Sequence, residues 1–145
     1  MCVNTSFQLL HLPEHGDMRG NMCVVEGERD IPFPIQRIFY DFHTEPSEIR
    51  GNHANLYSRF AFISLAGSCE IEVDDGEQKA CFLLDDPHKL LVVERMTWKI
   101  MRNFSVDHVL LVLSDRHYDP NEYIRNYGEF CQLVKHLYPF ASTTK

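Results

Sequence analysis

No stretch of the chain approaches the roughly 20 consecutive apolar residues that a membrane-crossing helix requires, and the N-terminus has no basic region leading into a long apolar run. Neither a membrane span nor a secretory leader is expected. Positive charge is also scarce: 14 lysines and arginines stand against 21 acids, for a formal charge of -7, and the acids are scattered, not blocked. Such a surface argues against nucleic acid and anionic membrane as partners, since both require a basic face. A phosphorylated ligand stays open, because a few arginines can gather in one pocket without altering the total. The five cysteines, Cys2, Cys23, Cys69, Cys81 and Cys131, are odd in number and include no C-x-x-C pair. Neither a disulfide framework nor a zinc site follows from them, and a reduced, cytoplasmic protein is expected. Cys69 and Cys81 fall in apolar, strand-like runs and read as core.

What the chain does have is alternation of apolar and polar residues. At 145 residues, with 44% hydrophobic and 24% charged residues, it is one globular domain, with no repeat or linker dividing it. Strands are predicted at Phe7–Leu12, Arg19–Glu26, Ile35–His43, Ser68–Val73, Gln78–Leu84, Lys89–Glu94, Thr97–Arg102 and His108–Ser114, with Glu14–Asp17 and Gly27–Asp30 as turn and loop. Ile31-Pro32-Phe33-Pro34 restricts the backbone to extended forms, and Asp74-Asp75-Gly76 between alternating runs is a hairpin signal. So many short strands at regular spacing predict a mainly β barrel or sandwich. After about residue 115 the period changes. Asp119-Pro120-Asn121-Glu122 has the order of an N-cap, a first-turn proline and a capping-box acid, and Tyr123, Tyr127, Phe130, Val134 and Leu137 recur at helical spacing. A helix is predicted over about 120–137, with Arg125 off its apolar stripe.

The stretch Arg50 to Gly67 carries the chemistry. If it is one extended run, His53, Asn55, Tyr57 and Arg59 share a side that continues into Ala61, Ile63 and Leu65. An imidazole, an amide and a guanidinium would then converge on an apolar wall, which suits a small polar ligand in a barrel mouth. A metal is not expected there: His-x-His with a carboxylate four residues later would hold one, but those positions are Asn55 and Arg59, the latter a permanent cation. The structural alternative is that His53 merely starts a strand and Arg59 pairs with an acid.

Along nearly the whole chain run Arg19-Gly20 with Glu26, Ile31-Pro32-Phe33 with Arg37, Arg50-Gly51-x-His53-Ala54, Gly67-Ser68-Cys69, Asp74-Asp75-Gly76, Trp98, Phe104-Ser105 with Asp107, and Tyr118-Asp119-x-x-x-Tyr123-Ile124-Arg125-x-Tyr127. In these, and in their order, the chain resembles the dTDP-sugar 3,4-ketoisomerases, small cupins that isomerise a nucleotide-linked 4-keto-6-deoxyhexose. It departs from them at Asn55, where a second histidine is usual, at Trp98-Lys99, where Trp-His is usual, and at Phe39-Tyr40, where two tyrosines often stand.

The resemblance implies a single cupin domain over 1–145, a jelly-roll type β-barrel with a C-terminal α-helix, acting without a cofactor on a dTDP-linked 4-keto-6-deoxyhexose. It further implies a homodimer with exchanged N-terminal strands, for which Phe7–Leu12 is the apolar candidate. The pathway implied is deoxyamino-sugar biosynthesis for surface glycans such as the O-antigen of lipopolysaccharide, or for glycosylated metabolites. The reaction needs a group that takes a proton from C3 and returns one at C4, and His53 is the candidate, with Tyr40 a second catalytic candidate. Asn55 and Arg59 are candidates for contact with the developing oxyanion. For the diphosphate the candidates are Arg19, Arg37, Arg50, Arg59 and Arg125, and Trp98 is the candidate to stack on the base. A 3,5-epimerase-like reaction and a non-catalytic sugar-nucleotide-binding cupin, the latter favoured by Asn55 and Lys99, are the alternatives.

Overall fold

Two runs, Phe60-Ala61-Phe62-Ile63 and Leu90-Leu91-Val92-Val93, are apolar at every position, a pattern for strands buried on both faces. The computed structural model, which describes residues 5–137, shows why. Its strands are β1 (Phe7–His11), β2 (His15–Asp17), β3 (Gly20–Met22), β4 (Arg37–Phe42), β5 (Arg50–Asn55), β6 (Phe60–Ala66), β7 (Cys69–Asp74), β8 (Lys79–Leu84), β9 (Lys89–Val93), β10 (Trp98–Arg102), β11 (Val109–Ser114) and β12 (Tyr123–Ile124), followed by helix α1 (Tyr127–Leu137). One five-stranded sheet has the order β1-β9-β6-β11-β4, a second has β12-β5-β10-β7-β8, and β2-β3 form a small hairpin. All pairings between these strands are antiparallel. The two sheets face each other as a jelly roll over a core of Phe60, Phe62, Leu91, Val93, Leu110 and Val112 from the first and Cys69, Ile71, Val73 and Leu84 from the second. The intervening positions of β6 and β9, Ala61, Ile63, Leu90 and Val92, are covered from outside by Leu12, Ile31 and Phe33. On the far side of the second sheet, Ala54, Trp98 and Ile124 pack against Phe130 and Val134 of α1.

At one flank Phe7 of β1 rests edge-on against Phe82 of β8, with centroids 6.0 Å apart. At the other, β4 and β5 approach each other and Arg50 Nε lies 2.7 Å from Asp41 Oδ2. This second flank carries the site.

Several elements differ from the prediction. Residues 15–17 form β2, where a turn is predicted, and the strand predicted at 19–26 shortens to β3. The run from Arg50 is two strands, not one, because the chain turns out at Leu56–Arg59: Leu56 N donates to Glu122 O and Ser58 N to Glu122 Oε1. The helix predicted over 120–137 is three pieces: a 3-10 turn at Pro120–Glu122, strand β12 and α1. Asp119 does cap the turn, accepting from Asn121 N. Glu122, however, reaches inward to Asn55 and Ser58 instead of back to the cap, and Tyr123-Ile124 then pair with Asn55-Ala54. The cap of α1 is Asn126, whose Oδ1 accepts from Glu129 N. Cys69 is buried as expected, and burial pushes its thiol up to about 12, whereas Cys81 is exposed on β8. Cys2 lies outside the described residues.

Candidate active site

The inner wall of the β4–β5 flank is set by an irregularity. Register between β5 and β10 slips at Lys99/Ile100, and Gly51 and Asn52 adopt φ of 76° and 55°. A Cβ on Gly51 would stand 2.9 Å from the carbonyl oxygen of Lys99, so only glycine fits this bulge. The extra residue brings Arg50 and His53, three apart in sequence, to the same inner side.

His53 Nδ1 lies 2.9 Å from Gly51 O. Only an N–H can bond a carbonyl, so Nδ1 carries the proton and Nε2 keeps its lone pair. The ring lies edge-on to Tyr123, 4.8 Å between centroids. Burial, then the nearby Lys99 and Arg125, push the imidazole down to about 4 against the opposing pull of the Gly51 carbonyl. At neutral pH it is an uncharged base.

Beside it is a buried chain of polar groups. Glu122 Oε1 accepts from Asn55 Nδ2 at 2.9 Å, and Asn55 Oδ1 accepts from Lys99 Nζ at 2.9 Å. Glu122, Asn55 and Lys99 are each at most 2% exposed. Lys99 Nζ also lies 3.4 Å from Thr97 O and 4.8 Å from the centroid of Phe60. Burial pushes this ammonium down to about 7, with Glu122 opposing the shift.

The other wall is β4, on which Arg37 and Phe39 face inward. The guanidinium of Arg37 sits over Phe39, Phe60 and Tyr118 at 5.2, 5.9 and 5.7 Å. Its Nε is buried without a hydrogen-bond partner, a group that costs free energy unless a ligand satisfies it. Arg125 lies 4.9 Å over the Tyr123 ring, and Tyr118 flanks the same ring at 5.8 Å. One neutral base, a buried ammonium and three guanidiniums, those of Arg37, Arg50 and Arg125, thus gather with aromatic rings at one flank of an acidic molecule.

Four predicted site residues stand elsewhere. Tyr40 alternates with Phe39 and Asp41, so it points outward, exposed and stacked on Phe42. Arg19 is exposed in the β2–β3 hairpin and pairs with Asp17 at 2.6 Å. Arg59 falls on the side of Ala61, not of Phe60; it binds Asp115 at 3.0 Å and Pro32 O at 3.1 Å and covers Phe33, which is the structural alternative noted from the sequence. Trp98 faces α1 between Tyr127 and Phe130 and is core, not a base-stacking platform. Tyr57 is exposed beneath Arg116 and does not join His53. Asn55 is in the site but engages Glu122 and Lys99, so its part is to hold them. Glu122, Tyr118, Tyr123 and Phe39 join the site beyond the residues expected there. Among the described residues, no three His, Cys, Asp or Glu side chains gather as metal ligands.

Comparison with known proteins places this geometry in context. A family model described as FdtA: WxcM-like, C-terminal matches residues 5–135. The chain is 39% identical over 118 residues to the TDP-4-oxo-6-deoxy-alpha-D-glucose-3,4-oxoisomerase of Aneurinibacillus thermoaerophilus, covering 81% of this chain and 85% of that protein. Its fold matches the TDP-fucose-3,4-ketoisomerase WlaRA of Campylobacter jejuni with a TM-score of 0.87 and 41% identity, over 92% and 98% of the two chains. It matches a mutant of the 3,4-ketoisomerase QdtA of Thermoanaerobacterium thermosaccharolyticum, in complex with TDP-4-keto-6-deoxyglucose, with a TM-score of 0.86 and 30% identity, over 90% and 95%.

Proposed function

The chain belongs to the FdtA family (WxcM-like, C-terminal), and from that membership we propose that it converts dTDP-4-keto-6-deoxyglucose to a dTDP-3-keto-6-deoxyhexose by 3,4-ketoisomerisation without a cofactor. The observation that carries the mechanism is His53, whose Nδ1 is fixed on the Gly51 carbonyl while burial and Lys99 keep the ring neutral. Its Nε2 takes the proton from C3, which the neighbouring ketone acidifies, and returns a proton at C4 of the resulting intermediate. Arg37, with an unsatisfied buried N–H, and Arg50 and Arg125 supply guanidiniums for the diphosphate and for developing negative charge.

The protein acts as a homodimer with exchanged N-terminal strands. Supporting this are the position of β1 at a sheet edge and the exposed Ile38, Tyr40 and Phe42 on the outer side of the same sheet. A dimer whose β1 cannot be crosslinked to the partner's β9 would leave the exchange unsupported. The 3-keto product suits transamination, and we place the enzyme in the cytoplasm, in deoxyamino-sugar synthesis for surface glycans including O-antigen. Incubation with dTDP-4-keto-6-deoxyglucose in deuterium oxide, followed by NMR, tests the reaction. A 3-keto product labelled at C4 is expected. Label at C5 would mark an epimerase, and bound but unchanged substrate a binding protein.

A further inference from the structure

On that reading of the reaction, one fully buried group has no assigned part. Lys99 faces His53 directly across the β5–β10 ladder, where paired residues stand about 5 Å apart and share a face. It lies one strand further into the sheet than His53, since the order is β12-β5-β10. Its ammonium flanks the same Phe60 ring that Arg37 flanks from the other sheet. Asn55 fixes Nζ on one side and Thr97 O on a second, leaving the third N–H for the interior. Holding a lysine dry is costly unless it is paired, and the pairing here is indirect, through Asn55 to Glu122. Such an arrangement keeps an ammonium ready to lose its proton.

We propose that Lys99 is a second catalytic residue of the isomerisation, giving a proton to O4 and taking one from O3, while His53 removes the C3 proton and, after exchange with solvent, delivers one to C4. In the first half, His53 Nε2 removes the C3 proton as Lys99 delivers its proton to O4, giving a neutral enediol, an imidazolium and a neutral amine. In the second, Lys99 takes the O3 proton as C4 recovers a proton from His53, leaving the ketone at C3. Both residues return to their starting states, and neither oxidant nor metal is required. The lowered proton affinity of Lys99 fits this cycle, because an ordinary lysine would hold its proton too firmly to return it.

The groups that face Lys99 are His53 from β5, Glu122 from the 3-10 turn and Arg37 from β4, while β6 and β7 meet it with the apolar Phe60 and Val73. The parental kcat/KM should therefore fall on an alkaline limb near pH 7, where Lys99 loses its proton. Glu122→Gln should move that limb to lower pH, because the carboxylate is what holds the ammonium up. Lys99→Met should lose roughly 10² to 10⁴-fold in kcat with dTDP binding retained. Lys99→Arg should remain equally slow, since a guanidinium donates to O4 but does not accept from O3. Rescue by arginine, parental turnover by Lys99→Met, or a parental profile flat from pH 6 to 9 would each overturn the proposal. If the parental protein itself yields no 3-keto product, the functional reading fails instead, so the two are separable.

Discussion

At the scale of the residue, His53 combines a base with a stability cost. Above pH 6.5 its imidazole is neutral whether the chain is folded or not. As pH falls from 6.5 to about 4, the unfolded chain takes up a proton that the folded site refuses, so stability is lost over that window. Between pH 7 and 5 the loss from this group is about 2 kcal/mol. His53→Gln lacks it, and urea denaturation at the two pH values should show the variant losing less stability than the parent; parallel losses would contradict the buried, neutral imidazole. A second expectation concerns metal. The amide of Asn55 is turned to an ammonium 2.9 Å away, which repels a divalent ion from the position a second histidine would occupy. Treatment with a chelator should leave turnover unchanged, and activity lost with a stoichiometric bound ion would refute this.

At the scale of the element, the turn at 119–124 decides whether β12 and α1 close over β5. Glu122 bonds both Asn55 and Ser58, so Glu122→Ala leaves a buried amide and a backbone N–H unsatisfied and should cost about 1–3 kcal/mol for each, read by denaturation. Asn126→Ala, which removes the cap of α1, should cost only about 1 kcal/mol. If the two variants proved equal, the turn would be no more than a loop. These elements also show what the sequence made legible. Apart from the division of β5 from β6, the strands from β4 to β11 were readable because apolar runs, alternation and the Asp-Gly hairpin are local signals. The break after Asn55 was not, since Glu122 imposes it from 64 to 67 positions away. Arg59 was misplaced for the same reason: a continuous strand would carry it inward, and the turn carries it to Asp115. Alternation allows only one of Tyr40 and Arg37 to face the site, and which one it is depends on how the sheet packs, which gives that side to Arg37. The bulge at Gly51-Asn52, which brings Arg50 beside His53, is written in a Gly-Asn pair that has other readings. Asn126-Tyr127-Gly128-Glu129 carried the true capping signal six residues beyond a start already marked by Pro120.

At the scale of the molecule, an acidic chain gathers Arg37, Arg50 and Arg125 at one flank of two facing sheets, beside a neutral histidine. Binding that favours only the folded state raises stability by mass action, so saturating dTDP should raise the melting temperature while free 6-deoxyhexose should not. An unchanged melting temperature with dTDP would remove the nucleotide-sugar assignment. Arg37→Gln should weaken that shift more than Arg19→Gln, because Arg37 Nε is buried and unpartnered while Arg19 stands exposed and paired with Asp17. The claim on which the rest depends is that His53 moves the carbon-bound proton. His53→Asn, incubated with dTDP-4-keto-6-deoxyglucose in deuterium oxide, measures it directly by NMR: dTDP binding should persist while product formation and deuterium exchange beside the ketone fall roughly 10² to 10⁴-fold. Exchange at the parental rate in that variant would contradict the account.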